Sequence, residues 1–160
     1  VFRKGDKVVH PRHGAAVVED LVELERFGEQ RIYVKLRLPH GLTLMVPVES
    51  TEQIGLRGVV SMDELDEVFD LLREDEGRMP ILWSKRYRAN LAKLFSGDIY
   101  HVAEVVRDLS LRERGKGLSS AEKRMLAKAR EILISELTFV VGSTEENAEA
   151  MLDEVLGGSR

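Results

Sequence analysis

Arg31-Ile32-Tyr33-Val34-Lys35-Leu36-Arg37-Leu38 runs largely in polar–apolar alternation. A period of two belongs to a strand with one face on a core and the other toward water. Phe27-Gly28-Glu29 before it and Pro39-His40-Gly41 after it carry turn chemistry. Beyond those turns the same pattern continues. Gly14 opens Ala15-Ala16-Val17-Val18-Glu19-Asp20-Leu21-Val22-Glu23-Leu24, rich in β-branched residues. Lys7-Val8-Val9-His10 is a short strand ended by Pro11, and Leu42-Thr43-Leu44-Met45-Val46-Pro47-Val48 is another. Four or five short strands in about fifty residues are too few for a sandwich, and they predict a small Tudor- or SH3-like β-barrel. Such barrels more often bind a partner through an edge or groove than perform chemistry.

After residue 60 the period changes to that of a helix. Leu65, Val68, Phe69 and Leu72 form one apolar stripe, and Ile99, Val102, Ala103, Val106 and Leu109 a second. Met125, Ala129, Ile132 and Leu133 form a third. Three Ser-x-x-Glu capping boxes, Ser61–Glu64, Ser119–Glu122 and Ser143–Glu146, mark helix starts, and Asp98 is a further N-cap. Gly115-Lys116-Gly117 and Val141-Gly142 mark breaks. The fold class is therefore α+β. A small N-terminal Tudor/SH3-like barrel over 1–55 precedes a compact all-helical domain of about five helices over 61–160, with a seam between them.

The 160 residues carry a net charge of −4, but the charge is segregated. Residues 58–77 hold 1 Lys+Arg against 8 Asp+Glu, net −7. Residues 78–130 hold 13 against 5, net +8, and residues 131–160 hold 1 against 7, net −6. A basic block between two acidic ones speaks of partners rather than of fold. From charge alone, nucleic acid and neutralisation by the acidic neighbours are both open readings.

Several chemistries lack their residues. With no cysteine, disulfide frameworks, zinc ribbons and thiol catalysis are excluded together. His10-Pro11-Arg12-His13 invites a metal reading, but no third ligand stands near it in sequence, so the expectation is no metal and no cofactor. There is no phosphate-binding glycine loop and no serine elbow, and a non-enzymatic role is expected. No apolar run approaches membrane-spanning length, and the opening Val1-Phe2-Arg3-Lys4-Gly5-Asp6 has no apolar leader. A cytoplasmic protein is expected, with no membrane partner and monomeric when free.

The distinctive stretch is Met79-Pro80-Ile81-Leu82-Trp83-Ser84-Lys85-Arg86-Tyr87-Arg88, which holds the single tryptophan. On a helix Trp83 shares a stripe with Tyr87, Leu91 and Leu94, which argues for a core position. It also stands at the helix start, flanked by Lys85, Arg86 and Arg88, and an aromatic among cations at a helix end suits wedging against a base while phosphates are gripped. After Ser119, the cations Lys123, Arg124, Lys128 and Arg130 fall opposite the apolar stripe.

These pieces, in this order, resemble the CarD/CdnL family of bacterial transcription regulators. The resemblance is carried by Phe2-Arg3-Lys4-Gly5-Asp6-Lys7-Val8-Val9 with His13-Gly14, by Met45-Val46-Pro47, and by Val59-Val60. Trp83-Ser84-Lys85-Arg86-Tyr87-Arg88, Ala103-Glu104-Val105-Val106-Arg107-Asp108-Leu109 and Leu118-Ser119-Ser120-Ala121-Glu122-Lys123-Arg124-Met125-Leu126 carry it most strongly. It implies a barrel that docks on the RNA polymerase β-subunit, and a helical domain on promoter DNA at the upstream edge of the transcription bubble, its binding largely independent of sequence. There Trp83 would wedge into the minor groove, with Lys85, Arg86, Arg88, Lys123 and Arg124 on the backbone, so that open complexes, above all at ribosomal RNA promoters, live longer. The implied setting is the nucleoid. The implied polymerase-docking residues are Leu24, Arg26, Met45 and Pro47. Some relatives carry arginine at the positions of Leu24 and Met45, so this docking patch is the more apolar. Alternation alone leaves Met45 equally readable as barrel core. The barrel is also similar to the polymerase-interacting domain of the transcription–repair coupling ATPase, whose nucleotide-binding loop this chain lacks. The alternative is an adaptor whose basic helices meet an acidic protein instead of DNA.

Overall fold

The structure, a computed structural model, describes residues 2–75, 77 and 79–158. Five strands come first: β1 (Lys7–His10), β2 (Gly14–Arg26), β3 (Glu29–Arg37), β4 (Thr43–Pro47) and β5 (Arg57–Gly58). They form one antiparallel sheet in the order β4-β3-β2-β1-β5. The alternation read in β3 is its burial pattern at the C-terminal end, where Val34 and Leu36 point inward. With Val8, Ala16, Val18, Leu38, Val46 and Leu56 they make the barrel core. The β2–β3 turn needs left-handed backbone at two successive residues, and Phe27 (φ 53°) and Gly28 (φ 79°) supply it.

A short helix α1 (Thr51–Ile54) leads to β5, which lies in the seam beyond residue 55 and pairs with β1. Two residues of Arg-Gly carry no alternation, so this strand has no signature in the sequence. Five helices follow: α2 (Met62–Arg73), α3 (Trp83–Leu94), α4 (Ile99–Gly115), α5 (Ser120–Val141) and α6 (Glu145–Gly158). The three predicted stripes converge on one core, joined by Ala148, Leu152 and Val155 of α6. Ser61 and Ser119 form complete capping boxes, and Asp98 caps α4 through the Tyr100 N–H. The third box is displaced by one residue. Thr144, not Ser143, caps α6, its hydroxyl accepting from the Asn147 N–H at 3.1 Å. That register turns Ala148, Leu152 and Val155 into the core.

The two halves are joined by polar contacts. Arg57 grips Glu136 of α5 with two bonds of 2.8 and 2.7 Å, and the same carboxylate accepts the Val60 N–H at 2.9 Å. The Arg57 Nε donates to the Gly97 carbonyl at 2.6 Å. At a second contact the Ser135 hydroxyl accepts the Ala15 N–H at 2.9 Å. Gly14 is required there, since a Cβ would stand 2.5 Å from the Ser135 Oγ.

His10 lies in this region as a buried imidazole. Its Nδ1 accepts the Arg12 N–H at 3.1 Å, and its ring is 4.7 Å from that of His13. Burial first, then the neighbouring His13 and Arg12 charges, lowers its pKa from 6.5 to about 4. The unfolded chain therefore binds the extra proton between pH 6.5 and about 4, so stability falls as pH drops through that window. His10→Asn keeps an acceptor for Arg12 but does not titrate. Its melting temperature should fall less steeply than that of the wild type between those pH values, and parallel curves would refute the assignment.

Candidate nucleic-acid interface and docking face

α3 leaves the helical core as it is followed toward its N-terminus. Leu94 is fully buried, Leu91 and Tyr87 are half-buried, and Trp83 is 42% exposed. The core position that the stripe suggested for Trp83 is thus not what the fold makes of it. The indole stacks on Tyr87, with centroids 5.1 Å apart and planes 16° from parallel. Its Nε1–H donates to the Ser119 hydroxyl at 3.1 Å. Before it, Ile81 is 97% exposed and Leu82 is also open to solvent. Leu82 offers no cap, so the first N–H groups of α3 are left for solvent or an anion. The result is an apolar ridge, Ile81-Leu82-Trp83, at the end of a helix.

Gly77, ahead of the ridge, is held by α4. Asp108 of α4 accepts the Gly77 N–H at 2.9 Å and the Arg107 Nε at 2.9 Å. Arg107 in turn reaches the Leu71 carbonyl and Glu74.

Among the described residues, the cations of α3 and α5 separate into two classes. Lys85, Arg88, Lys123 and Arg124 are exposed and form no ion pair among the described residues. Arg86 belongs to the other class, which corrects its reading as a phosphate ligand. It is 5% exposed and bound to Glu122 of α5 at 2.9 Å, so its charge is spent inside the fold. Burial raises the Glu122 pKa, but the bonds from Arg86 and Ser119 outweigh it and hold the carboxyl below its usual value. Lys93 pairs with Glu104, Lys128 with Glu131, and Arg130 with Asp153 of α6. The cationic face of α5 therefore narrows to its first turn, Lys123 and Arg124, close to the Ser119 that holds the indole.

Sequence reasoning misses Arg112 and Lys116. With Ile81 and Arg86 they line a cavity of about 360 Å³, and the Arg112 Nε is buried there with no acceptor among the described residues. Arg112 lies in the last turn of α4 and Lys116 caps it, and cations at a helix C-terminus are ordinary, which is why the pattern gives no signal.

On the barrel, register places Leu24 and Arg26 on the same sheet face as Met45 and Pro47. Pro47 stands opposite Tyr33, which stands opposite Val22; Met45 stands opposite Lys35. The inward positions of β4 are Leu44 and Val46. Met45 is therefore on the outer face and not in the core, beside a half-buried apolar strip of Val22, Leu24 and Pro47.

Among the described residues no helix is long and apolar enough to cross a membrane, and no cluster of three His, Cys, Asp or Glu side chains could hold a metal.

Comparison with known proteins agrees with this architecture. Residues 2–60 match the CarD-like/TRCF RID domain, and residues 67–153 match the CarD C-terminal domain. A Bacillus subtilis (strain 168) protein named "Putative transcription factor YdeB" is 34% identical over 151 residues, spanning 94% of this chain and 99% of its own length. Two domain matches in order along the chain, with a relative that aligns nearly end to end, show that this protein belongs to the CarD/CdnL family of transcription regulators.

Proposed function

We propose that the barrel docks on the RNA polymerase β-subunit while the ridge at Trp83 enters the minor groove at the upstream edge of the bubble and stabilises the open complex. The observation that carries this reading is the exposed indole, stacked and hydrogen-bonded, standing among cations that have no carboxylate partner. Bubble collapse requires fork bases to restack, and a wedged side chain opposes a step worth a few kcal/mol. About 1.4 kcal/mol in favour of the open state shifts its equilibrium tenfold. Lys85, Arg88, Lys123 and Arg124 hold phosphates, so contact is insensitive to sequence. Docking on polymerase raises the local concentration, and the DNA contacts can be individually weak. Such a protein works at the nucleoid.

The two surfaces separate by experiment. Met45→Glu puts a charge into the outer strip without touching the barrel core. It should weaken co-elution with polymerase at least about tenfold while leaving the melting temperature nearly unchanged, since surface substitutions cost within roughly 0.5 kcal/mol. Unchanged co-elution would move the docking face elsewhere. Lys123→Glu with Arg124→Glu should reduce the salt slope of forked-DNA binding by about 2. An unchanged slope would remove those residues from the interface.

A further inference from the structure

We infer that Arg86 and Glu122 are positioning residues for Trp83, a role that rests on the indole being the DNA-contacting group. The bonds form a directed chain. The Arg86 Nε donates to Glu122 Oε2 at 2.9 Å and its Nη2 to Oε1 at 3.4 Å. The third arm of the fork, Nη1, donates to the Ile81 carbonyl at 3.1 Å. The Ser119 hydroxyl donates to Glu122 Oε1 at 3.1 Å, which commits its proton. Its lone pairs are then turned to the Glu122 N–H at 3.2 Å and to the Trp83 Nε1–H at 3.1 Å.

One buried guanidinium thus ties together three things: the residues that enter α3, the first turn of α5, and the serine that holds the indole. A buried ion pair is poor evidence for stability, because apolar side chains of the same volume serve a core as well. What this pair adds is direction. The carboxylate fixes which way the serine hydroxyl points, and the planar fork fixes the spacing of the two helix ends. Both act on an indole that is only half supported by packing. Lys123 and Arg124 follow Glu122 directly, so the same bond sets the phosphate-facing turn of α5 relative to the ridge.

The single tryptophan makes the test direct, since intrinsic emission reports Trp83 alone. Arg86→Lys keeps the charge but cannot span both Glu122 oxygens and the Ile81 carbonyl. In the free full-length protein, with folding verified by circular dichroism, this variant should show higher acrylamide quenching and lower anisotropy of the indole. Glu122→Gln retains the capping box while removing the charge, and should move both readings the same way if Arg86→Lys does not fold. Folded variants with unchanged quenching and anisotropy would overturn the inference. In open-complex decay, Arg86→Lys should shorten the lifetime about threefold, and should add nothing once Trp83→Ala is present. Additive effects would show that Arg86 acts by another route and would also overturn it. If Trp83→Ala leaves the lifetime unaltered, the DNA reading fails, and the emission measurements on the free protein still decide the positioning role.

Discussion

Trp83→Ala should shorten the life of the open complex about tenfold, the equivalent of ~1.4 kcal/mol, while costing the fold much less than a core tryptophan would. The side chain is half exposed, and what it contributes to folding is one offset stack on Tyr87 and one hydrogen bond to Ser119. Together those are worth about 1–2 kcal/mol, against the 3–5 kcal/mol lost when a buried aromatic is cut to alanine. Trp83→Phe keeps a flat aromatic ring but is smaller and loses the Nε1–H bond, so it should fall between wild type and alanine in lifetime. A large loss of melting temperature in Trp83→Ala, with unaltered open-complex decay, would return the residue to an ordinary structural role.

The largest effect on stability is expected at the seam. Glu136→Ala removes a carboxylate that is 1% exposed and that accepts from Arg57 twice and from the Val60 N–H once. It leaves a guanidinium without its counter-charge and a partly buried N–H without an acceptor. Breaking one side of such a pair costs about 3–5 kcal/mol. Because the contact joins the barrel to α5, the loss should also loosen the two halves relative to each other. Thermal unfolding should therefore become less cooperative, with the barrel and helical transitions separating. A single transition at the wild-type temperature would show that the seam is held by apolar contacts instead. Glu136→Gln keeps one acceptor oxygen and loses the charge, and should fall between.

These two residues mark the limits of what can be read from the chain. The strands of the barrel are legible, because alternation in β3 and the flanking turns are local signals. So are the helix stripes and two of the three capping boxes. The third fails because Ser143-x-x-Glu146 and Thr144-x-x-Asn147 are overlapping cap patterns, and only the burial of Ala148 and Leu152 chooses between them. β5 is silent because two residues have no period. Arg86 and Arg88 sit two apart and look alike in sequence, yet one is buried against Glu122, thirty-six residues away, and the other is free in solvent. Long-range pairing leaves no mark on local composition. For the same reason Glu136 gives no hint that it holds the two halves together.

The measurement that bears most directly on the central claim is the decay of a promoter open complex after competitor challenge. It is made with the cognate polymerase, in the presence and absence of the full-length protein. The expected result is a longer lifetime with the wild type, which Trp83→Ala abolishes while binding to polymerase is retained. Equal lifetimes with and without the wild-type protein, with polymerase binding confirmed in the same samples, would contradict it.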